Sequence, residues 1–480
     1  MNDFVVEVES LSITSADSQI VENLSLSLSK GTPVTILGET GSGKSILAQA
    51  IMGALPEGLE RQGTVSVYGK SVDDQEYIES LWGKQISMLP QEPWLSLDPI
   101  MPINKQMGLV DRLVTKLDPR KSRNNVISKL TSFGMDKDQN KVPCQLSGGM
   151  AQRAAYLCAT AAGGEILIAD EPTKGLDDAR KHQVAQLLKT HASNKALLTI
   201  THDIDLAQSL GGEIIVMRKG VIVERGDAQN LLEEPQSAYA KELLQAHTAT
   251  YTRPSIHVCE QTPLIKASEL GINRGGKRLF ENLNFSVHSG EIVGICGESG
   301  AGKSTLADIL LGLTKQSSGE VWRDSSLTLG QALKLYQDPP AAFPQTLTLG
   351  KNLEDLCKLH NLQKERIPEL LEKLNLSQRL LERKPNQVSG GELQRFAMLR
   401  VLLMKPKLII ADEPTSRLDP LIGYQSMTLF LDQIRQTDSA VILISHDKAM
   451  LRQVCTQIID IEACKTRVQI ISNHELVNQS

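Results

Sequence analysis

The chain has 480 residues, with 51 lysine and arginine residues against 56 aspartate and glutamate residues, for a formal net charge of −5. Hydrophobic residues make up 41% and charged residues 22%, the composition of an ordinary globular protein with roughly two or three domains. The slight acidic excess argues against a nucleic-acid-binding protein, which usually carries a basic stripe.

The N-terminus, MNDFVVEVES, lacks the basic start and apolar stretch of a signal peptide. No run approaches the ~20 apolar residues of a membrane-spanning helix. The best candidate, VLLMKPKLII, is interrupted by Lys405, Pro406 and Lys407. We therefore expect neither a signal peptide nor a transmembrane segment, although the protein could dock on a membrane.

The cysteines are odd in number, scattered, and form no CxxC pair. This pattern favours free thiols in a reducing compartment over disulfides or a metal site. The seven cysteines are Cys144, Cys158, Cys259, Cys296, Cys357, Cys455 and Cys464.

The first predicted element with a chemical signature is a phosphate-binding loop. The segment VTILGETGSGKSILAQAIMGAL runs from an apolar stretch through glycines into a helical pattern, and it contains the motif GxxxxGK[ST]. Glycines let the backbone wrap around phosphate groups, and the N–H groups at the helix start point at them. We expect Lys44 to reach the β- and γ-phosphates and Ser45 to place its hydroxyl on Mg²⁺. The predicted nucleotide-binding residues are Gly38, Glu39, Thr40, Gly41, Ser42, Gly43, Lys44 and Ser45.

A buried strand that ends in two carboxylates is the next chemical element. In EILIADE, a β-rich apolar run leads into Asp170 and Glu171. Asp170 is predicted to hold the magnesium shell and Glu171 to polarise the attacking water. A solvated acidic turn is the alternative, but carboxylates on a buried strand need a cation to compensate them. His202 follows the next apolar strand, ALLTITHD, where a lone histidine would usually be structural.

The second half of the chain repeats these elements in the same order. GETGSGKS recurs as GESGAGKS, QLSGGMAQR as QVSGGELQR, LIADEPTKGLD as IIADEPTSRLD, and TITHD as LISHD. Because the histidines recur too, we expect them to contact the γ-phosphate or the water. The matching residues are Gly297, Glu298, Ser299, Gly300, Ala301, Gly302, Lys303, Ser304 and Thr305 for nucleotide, Ser304 and Asp412 for magnesium, and Glu413 and His446 for catalysis.

A polar segment with two prolines, AHTATYTRPSIHVCEQTPL, lies between the repeats. It lacks periodicity, so residues 246–264 are predicted to be a linker. The predicted domains are residues 1–245 and residues 265–480.

The segments LSGGMAQR and VSGGELQR, each just before the acidic strand, resemble the signature of the ATP-binding-cassette family. The resemblance covers essentially the whole chain. It implies an α/β fold with two P-loop ATPase domains, each with an α/β core, a small antiparallel β subdomain and a helical subdomain between the glutamine and the signature. It also implies ATP and Mg²⁺ as ligands.

In this family two cassettes face each other, and the signature of one caps the γ-phosphate held by the other, so the resemblance implies that the two halves pair within one chain. Gln91 and Gln337, which spacing alone would leave as surface residues, would bind nucleotide and magnesium. The signature residues are Ser389, Gly390 and Gly391 for the site of Lys44, and Ser147, Gly148 and Gly149 for the site of Lys303.

Both halves keep every motif, so two competent sites are predicted. One departure is the aromatic residue that family members usually place under the adenine. SITSADSQ and GINRGGKR both lack it, and Arg274 is a candidate to replace it by stacking.

The stretches QEPWLSLDP, QDPPAAFPQ and EEPQSAYAKELL resemble segments of the ATPases that power peptide and nickel importers. The resemblance implies a peripheral subunit on the cytoplasmic face of the inner membrane, with two integral-membrane permeases and an extracytoplasmic solute-binding protein as partners. The solute would be a peptide, nickel or a metal-chelate. Trp94, Leu95 and Phe343 are candidates for the permease contact, the alternative being that they pack inside the helical subdomain.

Two rival functions belong to other classes. The first is a soluble twin-cassette ATPase that acts on ribosomes or nucleic acid, although the long charged linker or inserted segment usual there is absent from the sequence. The second is a regulatory module without turnover, which the presence of both Glu171 and Glu413 disfavours.

Overall fold

The computed structural model describes residues 4–16, 18–91, 96–146, 148–174, 176, 178–248, 251, 262–275, 277–298, 300–328, 330–416, 418–461 and 470–472. The chain divides into two compact units, Met1–His247 and Thr248–Ser480. Helix runs through residue 248, so the start of the predicted linker is helical. Among the described residues, no helix is both long and apolar enough to cross a bilayer.

The first unit contains two sheets, whose strands are β1 Phe4–Thr14, β2 Gln19–Ser29, β3 Val34–Gly38, β4 Glu60–Val67, β5 Lys70–Ser71, β6 Ile86–Leu89, β7 Ile166–Asp170, β8 Ala196–Thr201, β9 Glu213–Arg218 and β10 Val221–Asp227. Its helices are α1 Lys44–Ile51, α2 Gln75–Leu81, α3 Ile103–Leu113, α4 Pro119–Ser132, α5 Gly148–Thr160, α6 Asp178–Ala192, α7 Ile204–Leu210, α8 Ala228–Glu233 and α9 Ala238–Thr248.

The larger sheet of this unit has the strand order β10-β9-β3-β8-β7-β6, and the smaller, antiparallel sheet has the order β2-β1-β4-β5. In the larger sheet only β10 runs antiparallel to its neighbour. Strands β3, β7 and β8 are buried along their whole length. This fits their near-continuous apolar sequences, because a parallel strand covered on both faces has no solvated side.

A helical subdomain formed by α3 and α4 lies between Gln91 and the signature segment. The apolar face of α3 repeats every four residues, so Ile103 and Met107 are both fully buried. The buried carboxylate of Asp111 on the same helix accepts hydrogen bonds from Asn125 of α4 at 2.9 and 3.1 Å, which ties the two helices together.

The second unit repeats this architecture. Its strands are β11 Ile265–Arg274, β12 Lys277–Val287, β13 Ile292–Cys296, β14 Ser318–Arg323, β15 Ala332–Leu335, β16 Leu408–Asp412, β17 Ala440–Ile444, β18 Gln457–Asp460 and β19 Ile470–Ser472. Its helices are α10 Lys303–Leu310, α11 Leu349–His360, α12 Arg366–Lys373, α13 Gly390–Met404, α14 Pro420–Arg435 and α15 Lys448–Val454. The sheets have the orders β15-β16-β17-β13-β18-β19 and β12-β11-β14.

Both units therefore have an α/β core, an antiparallel sheet and a helical subdomain between the glutamine and the signature, as the family resemblance predicts. In the second unit the helical subdomain is α11 and α12, with Leu349, Leu353 and Cys357 on the buried face of α11. The predicted fold class is confirmed.

Candidate active sites

Sheet topology brings the predicted site residues of each half to one edge. In the first unit β3, β8, β7 and β6 are consecutive parallel neighbours. The carboxyl ends of parallel strands meet at the same edge of a sheet, where ligands of such folds bind. The phosphate loop, His202, the acidic pair and Gln91 follow these four strands in that order. The second unit places its own set after β13, β17, β16 and β15.

The phosphate loop of the first unit joins β3 to α1 through residues 39–43. Gly43 caps α1 with a φ of 92°, and a Cβ there would lie 2.7 Å from the carbonyl oxygen of Ile20, so glycine is required. Lys44 is buried and donates to the carbonyl oxygens of Gly38 and Glu39, both at 2.7 Å, and to Ser42 Oγ at 3.2 Å. The lysine side chain therefore folds back along the loop that would surround the phosphates.

The loop of the second unit has the same helix cap and the same lysine contacts to backbone carbonyls. Gly302 caps α10 with a φ of 104°. Lys303 Nζ donates to the carbonyl oxygens of Gly297 at 2.7 Å and Glu298 at 3.0 Å. Ala301 and Thr305 are buried, and the predicted site residue Ser299 lies outside the described residues.

Asp170 and Asp412 end the strands β7 and β16, and both are buried. Burial raises the pKa of Asp170 above its ordinary value, against hydrogen bonding from Ser45. It raises the pKa of Asp412 in the same way, against hydrogen bonding from Ser304. The Oδ1 atom of Asp170 is buried without a hydrogen-bond partner in the described part of the chain. A buried carboxylate oxygen left in this state fits a cation ligand.

Glu171 and Glu413 follow these aspartates in left-handed backbone conformation, with φ of 49° and 47°. The conformation costs about 1–2 kcal/mol for a residue other than glycine. It is held by hydrogen bonds from the two amides to the carbonyl oxygens of Ile200 at 2.7 Å and Ile444 at 2.9 Å. In both units the left-handed residue turns the backbone away from the strand directly after the aspartate.

The histidines lie against these glutamates. His202 Nδ1 is 2.9 Å from Glu171 Oε2, and His446 Nδ1 is 3.5 Å from Glu413 Oε1. Burial by itself raises the pKa of Glu171, but the charge and hydrogen bond of His202 hold that pKa below its ordinary value. The pKa of Glu413 is likewise lowered against burial, by His446 first and also by Gln337. Both carboxylates therefore stay ionised near neutral pH, as a group that polarises water requires.

The two glutamines differ. Gln337 Nε2 donates to Glu413 Oε2 at 2.9 Å. Both Gln91 and Glu171 are among the residues that the structure describes, and no hydrogen bond joins them. The structure thus brings Gln337 into its site and leaves Gln91 two residues beyond β6 without that contact.

The signature serine of the second unit caps α13. Ser389 Oγ accepts from the amide of Glu392 at 3.2 Å, and the Glu392 carboxylate accepts from the amide of Ser389 at 2.9 Å, a reciprocal capping box. Gly390 and Gly391 form the first turn of α13, as Gly148 and Gly149 form that of α5. Ser147 lies outside the described residues. That each signature completes the site of the other half stays a prediction.

Of the candidate permease contacts, Trp94 and Leu95 lie outside the described residues. Phe343 is 5% exposed and packs under the Arg400 guanidinium, 4.8 Å from its ring centre. This burial against α13 favours the alternative that Phe343 packs inside its own unit over the permease contact.

Sequence reasoning missed Lys334, which lies on β15, the strand that comes just before Gln337. Its Nζ is 2.7 Å from Asp308 Oδ1 and 3.8 Å from Asp412 Oδ2. A comparison of the two repeats would have found it, since Met88 stands at the matching position of the first half. Its proximity to Asp412 depends on strand pairing, which the sequence does not state.

The ABC transporter family model matches the chain twice, at residues 21–174 and 280–416. The chain belongs to the ABC transporter family. The glutathione import ATP-binding protein GsiA of Pectobacterium atrosepticum is 30% identical, over 94% of this chain and 83% of that protein. The uncharacterised ABC transporter ATP-binding protein YejF of Escherichia coli is 30% identical, over 96% of this chain and 94% of that protein.

A solved structure of an archaeal ribosome recycling factor, aABCE1, in complex with the ribosomal stalk protein aP1 has a TM-score of 0.66 and 21% identity. It covers 92% of this chain and 84% of that chain. At that identity the likeness concerns the ABC ATPase fold alone. As a member of the ABC transporter family with both cassettes, the chain is an ATP hydrolase of the ABC type.

Proposed function

We propose that this ABC ATPase powers the import of peptides. The observation that carries the proposal is the similarity, over 94% of the chain, to a protein named for glutathione import. Glutathione is a tripeptide, so the relative's solute falls within one of the classes that the stretches QEPWLSLDP and EEPQSAYAKELL favour. In this proposal, selectivity for the solute would lie in the partner proteins.

We further propose that both halves hydrolyse ATP with Mg²⁺. Ser45 and Asp170 would hold the ion in the first half, and Ser304 and Asp412 in the second. When bound, Mg²⁺ supplies positive charge that offsets the charge of the β- and γ-phosphates. The unpaired Oδ1 of Asp170 supports this assignment.

Within each proposed site, the chain's own groups divide the work. Lys44 and Lys303, whose ammonium groups already lie against the loop carbonyls, would donate to the phosphate oxygens. Glu171 and Glu413, kept ionised by the histidines, would orient the attacking water and accept its proton. His202 and His446 would hold the glutamates in position.

As partners we propose two integral-membrane permeases and an extracytoplasmic solute-binding protein, with the chain peripheral to the inner membrane on its cytoplasmic face. Nickel and metal-chelates are the other solutes that the importer-like stretches favour. The ribosome-directed alternative is supported only by a likeness of fold.

The first experiment is affinity purification of the tagged full chain from detergent-solubilised native membranes, with partners identified by mass spectrometry. Two multispanning proteins in fixed ratio are expected. Ribosomal proteins or nucleic-acid enzymes in their place would contradict the proposed importer function.

The second experiment reconstitutes the chain with these permeases and the binding protein, and measures uptake of labelled glutathione, a longer peptide and nickel. Peptide uptake is expected in the wild type and is expected to be lost in a chain carrying both Glu171→Gln and Glu413→Gln. Nickel uptake without peptide uptake would overturn the proposed solute but leave the ATPase assignment intact.

A further inference from the structure

The two aspartates proposed to hold Mg²⁺ have different neighbours. In the second unit, Lys334 lies between Asp308 and Asp412, with Nζ–O distances of 2.7 and 3.8 Å. The side chains of Lys334 and Asp412 are 7% and 5% exposed, whereas that of Asp308 is 33% exposed. A buried ammonium group therefore faces the carboxylate that would hold the metal.

The first unit has no such charge at the matching positions. Lys334 pairs with Ile410 in the β15–β16 ladder, and Met88 pairs with Ile168 in the same register of β6–β7. Asp308 is the fifth residue after Lys303, and Gln49 is the fifth after Lys44. A neutral methionine and glutamine thus replace the lysine and aspartate.

The matching residues of the two sites carry the same total formal charge, so a difference in metal affinity has to come from how that charge is distributed. Gln49, Met88 and Asp170 together carry one negative charge, and so do Asp308, Lys334 and Asp412. In the second set, solvent screens the partly exposed Asp308 more than it screens the buried Lys334 and Asp412. The ammonium group therefore offsets part of the attraction that Asp412 exerts on a divalent cation.

We propose that Lys334 lowers the Mg²⁺ affinity of the second site, so that the first site fills with Mg²⁺–ATP before the second when Mg²⁺ is limiting. This inference rests on the proposed Mg²⁺-dependent ATPase. It makes the two sites unequal by a built-in charge, although both keep every catalytic motif. The loading order would give the transport cycle a defined first step.

The test uses Mn²⁺ as a paramagnetic substitute for Mg²⁺, with the full chain saturated by a non-hydrolysable ATP analogue. Bound and free Mn²⁺ are measured by electron paramagnetic resonance. Asp412→Asn isolates the first site and Asp170→Asn isolates the second. We expect the second site to bind Mn²⁺ about 10-fold more weakly than the first.

The decisive variant adds Lys334→Met to the Asp170→Asn chain, which gives the second site the residue of the first. We expect this change to recover most of the 10-fold difference. Asp308 is exposed enough to be hydrated once it loses its partner, so the variant should fold. Asp308→Asn is the matched control, and it should weaken Mn²⁺ binding further because it leaves the ammonium uncompensated.

The reciprocal exchange, Gln49→Asp with Met88→Lys in the Asp412→Asn chain, should weaken the first site by a similar factor. It keeps the test decisive if Lys334→Met does not fold. Equal Mn²⁺ affinities in the unsubstituted second and first sites, or no response to either exchange, would overturn the inference. Nucleotide binding without Mn²⁺ at either site would overturn the proposed magnesium sites as well, which separates the two failures.

Discussion

His202 Nδ1 lies 2.9 Å from Glu171 Oε2, at the point where two neighbouring strands of the first sheet end. The contact joins the residue that would polarise water to the residue that keeps it ionised. Burial opposes that ionisation, so the histidine has a measurable consequence for the acid side of the pH profile.

We predict that removing the histidine shifts the acid limb of ATP hydrolysis. With its pKa below the ordinary value of 4.5, Glu171 is ionised throughout the neutral range and loses its charge only as the pH falls through that lowered value. In His202→Ala the largest contributions that lower this pKa are lost while burial remains, so the pKa rises and hydrolysis should begin to decline at a higher pH. The measurement is the kcat–pH profile in the Glu413→Gln background, where only the first site turns over. His446→Ala in the Glu171→Gln background is the matched control, and an unmoved acid limb in both would contradict the pairing.

We predict that Glu171→Gln and Glu413→Gln each cut ATPase activity severely, and that the double variant loses about 10²-fold or more. The amide keeps the size of the side chain but cannot accept the proton of the attacking water. Steady-state phosphate release measures the effect, and nucleotide binding serves as the control for folding. Near-normal turnover in either single variant would show that its site does not contribute, contrary to the two-site proposal.

We predict that Asp170→Asn raises the melting temperature of the protein in the absence of Mg²⁺, by roughly 2–4 °C if about 1 kcal/mol is recovered. The pKa of Asp170 is raised in the folded state, so the folded protein binds a proton more tightly than the unfolded chain does. Stability is therefore lost as the pH rises from 3.8 through the folded value, and it stays lower at neutral pH. A neutral asparagine removes that cost.

The same variant should lose the stabilisation that Mg²⁺ and a nucleotide give the first unit. Asp412→Asn is the control, and its gain should be smaller because Lys334 already compensates that carboxylate. Scanning calorimetry with and without Mg²⁺ measures both effects. A lower melting temperature for Asp170→Asn without the metal would contradict the conclusion that the buried charge of Asp170 destabilises the folded protein.

We predict that two matching glutamines respond oppositely to methionine. Gln152 is buried and donates to the carbonyl oxygen of Pro172 at 2.5 Å. Gln394, the matching residue of α13, is also buried, but neither amide atom has a hydrogen-bond partner among the described residues. Gln152→Met should destabilise by about 1 kcal/mol, and Gln394→Met should be neutral or stabilising by a similar amount.

Calorimetric transitions of the two single variants, compared with the wild type, measure this difference. Leu393→Ala, a truncation of the neighbouring buried residue, serves as a positive control for destabilisation through α13. Equal costs at both glutamines would mean that the contact to Pro172 contributes nothing to stability.

The sequence by itself determined the local chemistry of each half. The glycines before Lys44, the apolar strand before Asp170 and the signature that opens α13 act on residues close to them in the chain, so their spacing is enough to predict their local structure. Because the motifs recur in the second half, each prediction applies to two segments of the chain. The fold class followed from the same motifs, since they name strands and helices in a fixed order.

Only the tertiary structure decided which side chains meet across strands. Gln337 donates to Glu413 whereas Gln91 makes no such bond to Glu171, Phe343 packs under Arg400 of α13, and Lys334 faces Asp412. These contacts join residues far apart in the chain, and their distances depend on strand register and packing. A motif determines which residue type stands at a site. The electrostatic environment of that residue depends on the neighbours that folding brings next to it.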